Sequence, residues 1–195
     1  MNHFRRLSLS FCAVLLFAAV ALTGCLAQNN VRLLYNAGGA AALPVATAPR
    51  VAVVVFEDQR GRLDVGVRKD GSPFQPSSSV AEWVSQSLAD ELARQGAQVS
   101  LATSMAQAQA GQPDYIVGGV VERVWLTEQS MSKYDAVIRI QTRLYSQKHG
   151  VVTKNFASQQ EKTGIPGASL AEQTLAGTLN DVLKNASLSI MSSMR

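Results

Sequence analysis

The chain has 195 residues, a formal net charge of +4, two cysteines and two histidines. Arg5 and Arg6 supply two of the four excess positive charges, and no dense basic patch follows them, so the basic balance does not point to nucleic acid. With so little histidine and cysteine, no Ser/His/Asp or Cys/His arrangement and no cluster with metal-ligand spacing can be assembled. Neither a metal nor a cofactor is expected, and the chain is not expected to be an enzyme.

Residues 1–24 read as an export signal. Arg5 and Arg6 begin it, Leu7–Ala21 is apolar apart from Ser8 and Ser10, and small residues precede Cys25. The apolar run falls short of the roughly 20 residues a spanning helix needs. Leu22-Thr23-Gly24-Cys25 fits a lipobox, in which small residues give the peptidase access to the backbone. The thiol of Cys25 then takes diacylglycerol, because sulfur is the best nucleophile at that place. An ordinary signal peptide with an unmodified cysteine is the alternative, and Arg5-Arg6 leaves twin-arginine export open. Lipidation with more than one acyl chain, palmitate among them, gives stable anchoring. Cys12 lies inside the signal, so the exported domain keeps neither a free thiol nor a disulfide and must be held by its core.

Residues 25–50 are expected to be the lipidated cysteine and a tether. Asn29-Asn30, the Ala37–Ala42 stretch, Pro44 and Pro49 all disfavour helix. Within the tether, 31–35 reads either as a short strand or as linker. Residues 51–195 are expected to form a single domain. Val51–Phe56 is a β-branched apolar run, the pattern of a central strand buried on both faces. A long polar stretch follows over 57–79, in which Val65–Arg68 before Asp70-Gly71 predicts a hairpin.

Ser79 and Glu82 form a capping-box pair, and Val80, Val84, Leu88 and Leu92 line one face of a helix over about 80–95, stopped at Gly96. Ala97–Leu101 reads as the parallel strand of a crossover, and Ser104–Ala110 as a short helix. Strands are predicted over Tyr115–Leu126, Tyr134–Tyr145 and Val151–Gln160, the last reached through a turn at Lys148-His149-Gly150. A second capping-box pair, Ser169 and Glu172, opens an amphipathic helix carrying Leu175, Leu179, Val182, Leu183 and Ile190. The expected fold is α+β: a mixed, largely antiparallel sheet of about 4–6 strands with two main amphipathic helices on one face.

Candidate sites are few. Asp58, Gln59 and Arg60 lie just past the carboxyl end of the central strand, where ligands of open sheets often bind. They are the candidate ligand or partner loop, although an ion pair that merely organises the loop explains them as well. Arg139, Gln141, Arg143 and Lys154 read as a basic stripe on the exposed sheet face, open to anionic headgroups or glycan or simply solvated, Trp83 and Trp125 as core, and Gly118-Gly119 as a bulge or a close helix approach.

The order of lipobox, short strand, apolar strand, Asp58-Gln59-Arg60, loop, Ser79–Gln95 helix, strands and terminal helix resembles the YajG-type envelope lipoproteins. That family has no assigned biochemical role. In fold pattern, Gly96–Val99 and Asp114–Gly119 are also similar to auxiliary lipoproteins of lipid-exporting transporters and to activators of peptidoglycan synthases. The lipid anchor and the lack of a catalytic set point to a non-enzymatic envelope component that binds an envelope protein partner. The alternative is an auxiliary lipoprotein of a lipid or small-molecule transporter, with an apolar groove between helices and sheet. With Leu26 after the cysteine, the resemblance implies the periplasmic face of the outer membrane, while partner identity and oligomeric state stay open.

Overall fold

The computed structural model describes residues 29–36, 38, 42, 45, 47–146 and 150–194, so the predicted signal and lipobox, Cys25, and Lys148 and His149 of the predicted turn lie outside the described residues. The elements run β1 (Asn30–Val31), β2 (Arg50–Val54), β3 (Glu57–Asp58), β4 (Gly66–Val67), β5 (Pro73–Pro76), α1 (Val80–Arg94) and β6 (Gln98–Ala102). They continue with α2 (Met105–Ala110), β7 (Tyr115–Ser130), β8 (Lys133–Ser146), β9 (Gly150–Thr163) and α3 (Ala168–Ser193). This is the expected α+β class, with a sheet of nine strands rather than about 4–6. The additional strands come from two-residue pieces too short to leave a periodic signal.

β7 organises the sheet. One of its edges carries β2, β3 and β4 in succession, all parallel to it, and the other carries β8 and then β9 in an antiparallel meander. β6 continues the parallel sheet beyond β2, while β5, antiparallel to β4, and β1, parallel to β5, extend the sheet beyond β4. The hairpin predicted from Val65–Arg68 and Asp70-Gly71 is present as β4 and β5. The segment read as a loop runs largely along the edge of β7 in short pieces.

β2 shows why its sequence is apolar at every position after Arg50. Val51 and Val53 enter the main core, and Ala52 faces the other way against Ala102 and Ala108, where α2 covers the sheet. On the opposite face lie both long helices. Leu88 and Leu92 of α1 meet Leu175, Leu179 and Leu183 of α3 over Ile138 and Ile140, all fully buried. Thr174 and Thr178 sit inside this layer at no polar penalty, since each hydroxyl donates to the carbonyl four residues back. Ser79 caps α1 by accepting from the Glu82 amide, and Gly96 takes the positive φ of +96° that lets the chain turn out of the helix.

Four expectations are corrected. α3 opens at Gly167 without a side-chain cap, because Glu172 turns to the N-terminal segment instead of its own helix start. Lys154 does not share a face with Arg139, Gln141 and Arg143. It pairs directly with Thr142, and opposed residues of an antiparallel pair share a side, so its Nζ reaches Ser189 and Ser193 of α3. Gly118 and Gly119 lie in continuous register and form no bulge, and the close approach is that of Gly119 to the Phe56 ring and the Gln141 backbone of β8 rather than to a helix; the ladder is irregular between Val121 and Arg123, leaving Glu122 as the extra residue, and again between Glu128 and Ser130. Trp83 is buried, with its indole N–H donating to the Leu34 carbonyl, but Trp125 is only partly covered and lies under Arg62.

The stretch at 31–35 resolves into the two-residue β1, followed by an extended segment fixed by side chains. Arg32 grips Glu172 of α3 through two nitrogens at 2.9 Å, the Tyr35 hydroxyl donates to Glu91 of α1, and Asn180 donates to the Asn36 carbonyl. Val31 is buried in the core. Residues 29–36 are thus strapped across both long helices and belong to the packed domain.

Candidate functional site

The Asp58-Gln59-Arg60 segment begins as β3, against Val120 and Val121 of β7. The Arg60 guanidinium meets both Asp58 oxygens at 2.8 Å and donates a third bond, at 3.1 Å, to the Asp64 carbonyl. Its side chain is only 5 % exposed, against 34 % for Asp58. The bonds from Arg60 hold the Asp58 carboxyl below the usual carboxylate range, outweighing its partial burial. Gln59 donates its amide to the Val121 carbonyl and leaves its side chain in solvent. The pair therefore closes its own loop. Beyond it Arg62 bonds Asp64 at 2.8 Å and stacks 4.2 Å above the Trp125 ring, so a cation and an indole form the outer surface here.

Replacing Arg60 with alanine frees the Asp64 carbonyl and the bidentate pair together. We expect urea unfolding to register a loss of about 1–2 kcal/mol, the scale of a small set of charge-assisted bonds near the surface. Asp58→Asn, which keeps an acceptor, should lose less.

A second feature lies at the other end of the sheet. A groove of about 1100 Å³ opens where β2, β7 and α2 meet the end of α3. Ile116, Tyr145, Val151, Met191 and Met194 give it apolar walls, and the Arg50–Asp114 pair gives it a polar edge. Tyr115 anchors that end of α3 by donating to the Met194 carbonyl at 2.9 Å. The groove is thus at the sheet's end, whereas the space between helices and sheet is filled by core leucines. None of Asp58, Gln59 and Arg60 lines it.

Three buried carboxylates escaped the sequence reading. Glu91 takes bonds from Tyr35, Arg94 and Gln95. Glu128 takes them from Arg68, the Lys69 amide and Tyr134, and Glu172 from Arg32. Burial pushes Glu91 up, but its donors prevail and its carboxyl sits below the ordinary value; the bonds from Arg32 bring Glu172 down. Burial and the neighbouring carboxylates push Tyr35 and Tyr134 up. A signal did exist: Glu91 follows Val84 and Leu88, and Glu172 precedes Leu175 and Leu179, each at the spacing of the buried stripe. Among the described residues, no group of three or more His, Cys, Asp or Glu is placed to hold a metal ion, and no helix is long and apolar enough to cross a membrane.

No protein-family profile and no curated protein matches this sequence. Solved structures do. A Xanthomonas campestris protein described as DUF330 superposes with a TM-score of 0.56 at 13% identity, covering 84% of this chain and 97% of that one. A second protein, uncharacterized, gives a TM-score of 0.55 at 14% identity, covering 83% and 99%. The chain shares their fold. A looser overlay, with rare lipoprotein B from Shewanella oneidensis, has a TM-score of 0.37 at 7% identity and covers 73% of this chain and 92% of that one. At these identities the likeness concerns the path of the backbone.

Proposed function

We propose that this chain is a membrane-anchored envelope lipoprotein, of the YajG type, that acts by contact as a non-enzymatic binding or structural component. The observation that carries the reading is Leu22-Thr23-Gly24-Cys25 behind Arg5, Arg6 and a short apolar run. Two features are consistent with it. The interior carboxylates are all engaged by arginine, tyrosine or amide donors, an arrangement suited to holding a fold rather than to moving protons. The surface offers a partner an open groove at one end and the Arg62–Trp125 stack on a sheet face. With Leu26 beside the acylated cysteine, the location proposed is the periplasmic face of the outer membrane.

Cys25→Ser is the test. The wild-type chain should fractionate with membranes and carry a lipid mass on its mature N-terminus, and the variant should move to the soluble fraction. Reversible cross-linking before solubilisation should then retain an envelope protein with the wild type. Recovery of only free monomer would count against the contact role.

One observation favours a second reading, an auxiliary lipoprotein of a lipid or small-molecule transporter. Ile116, Tyr145, Met191 and Met194 gather apolar and adaptable side chains in one groove, a setting that suits an acyl chain. Native mass spectrometry of protein extracted in mild detergent should then show a bound lipid that is lost on Ile116→Asp. A bare mass for both forms would remove this reading.

A further inference from the structure

The chain enters the described domain at one particular end of the sheet. Asn29 gives its carbonyl to the Gln75 amide and its side-chain oxygen to Arg68, which is itself bonded to Glu128 near the end of β7. β1 runs parallel to β5 and away from that end, so Asn29, the first of the described residues, lies at that end. Three other connections gather there. The β4–β5 turn starts at Arg68, the β7–β8 turn carries Met131 and Ser132, and the segment into α3 carries Ile165 and Pro166. The Ser132 carbonyl accepts from Gly164, and Asn30, Met131 and Pro166 border one small cleft.

Two of the most exposed apolar side chains of the described domain project here: Met131 is 71 % and Ile165 is 88 % exposed. Charge does not explain them. Lys133 is paired with Glu161, Arg68 with Glu128, and Lys69 is followed by Asp70, so this end has no cationic excess to seek an acidic protein surface. What distinguishes it is its distance from Cys25. Leu26, Ala27 and Gln28 are all that separate Cys25 from Asn29, and four residue steps span at most about 14 Å in any conformation.

We propose that this end lies against the bilayer, with Met131 and Ile165 seated at headgroup level. The inference rests on the lipid at Cys25 proposed above. An anchor within that reach keeps the two side chains beside the lipid surface, where apolar tips are favoured over water. The groove bordered by Ile116 and Met194 then opens away from the membrane. The 16 residues of β7, at about 3.3 Å each, set its distance at no more than about 50 Å, on the side facing a partner in the envelope space.

The experiment uses the full-length lipidated chain, extracted from membranes and reconstituted into phosphatidylethanolamine–phosphatidylglycerol vesicles. Because Cys25 is acylated and Cys12 leaves with the signal, Met131→Cys, Ile165→Cys or Val151→Cys each introduces one labelling site for an environment-sensitive fluorophore. Val151, exposed beside the distal groove, is the control. Labels at 131 and 165 should shift to the blue and be quenched at least about twofold by shallow spin-labelled lipids, with no change at 151 and no reversal by high salt. Water-like labels at 131 and 165 on vesicle-bound protein would overturn the docking and leave the anchor standing. Protein that lacks a lipid mass and stays off the vesicles would overturn both.

Discussion

Gly119→Val should abolish folding, and Gly119→Ala should already reduce stability by more than about 3 kcal/mol. A Cβ on Gly119 would lie 2.6 Å from the Phe56 ring and closer still to the Gln141 carbonyl of the neighbouring strand. Neither obstacle can yield. Phe56 is buried, and its amide is bonded to the Ser85 hydroxyl, which is itself bonded to the Ala81 carbonyl in α1. The Gln141 backbone belongs to β8, held on both sides by β7 and β9. Any shift that relieves the clash must open the longest ladder in the sheet or lift α1 from β2. Gly118 is the internal control. Its Cβ would meet only Tyr145 and Val54, both at 4.0 Å, so Gly118→Ala should stay within about 1 kcal/mol of wild type and may be compared directly by urea unfolding and far-ultraviolet circular dichroism. Equal losses at the two glycines would remove the steric account.

This contrast also marks where sequence stops being legible. A pair of adjacent glycines in an apolar run signals a special backbone position, but which one is intolerant depends on Phe56, more than 60 residues upstream. The elements with local causes were readable: α1 from Ser79, its apolar stripe and Gly96, and β8 from its strict alternation. β7 is predicted over Tyr115–Leu126, short of its inward-facing Glu128. It runs on to Ser130 since Arg68, Lys69 and Tyr134 converge on that carboxylate from other elements. The same holds for Glu172. Ser169 and Glu172 have capping-box spacing, yet a bidentate guanidinium from a segment 140 residues away is a stronger partner than a helix-start amide. The Asp58-Gln59-Arg60 site was visible as a motif, but its self-contained bonding depends on the Asp64 carbonyl, and the distal groove is assembled from six elements spread along the sequence. Long-range pairing, rather than weak local preference, separates the two groups.

Those long-range pairs lead to the second large effect. Glu91→Ala combined with Glu172→Ala should release the 29–36 strap from both helices, at a combined loss of roughly 3 kcal/mol or more from broken bonds to charged groups. Limited proteolysis should then cut before α1 under conditions that leave wild type whole. Acid should do reversibly what the double variant does permanently. Both carboxyls lie below their ordinary value in the fold, Glu91 because its hydrogen-bond donors overcome the effect of burial and Glu172 because of Arg32. The fold therefore favours their ionised forms. Their contribution is complete above the unfolded-state carboxylate range, near about pH 4.3, and disappears as pH falls through the lower folded-state values. Melting temperature should drop steeply below that range in wild type, and less steeply in Glu91→Gln/Glu172→Gln, which starts lower but has two fewer protons to take up on unfolding. Parallel pH profiles for the two proteins would show that the acid sensitivity arises elsewhere. The strap would then be held mainly by what acid does not touch: Val31 in the core and the bond from Trp83 to the Leu34 carbonyl.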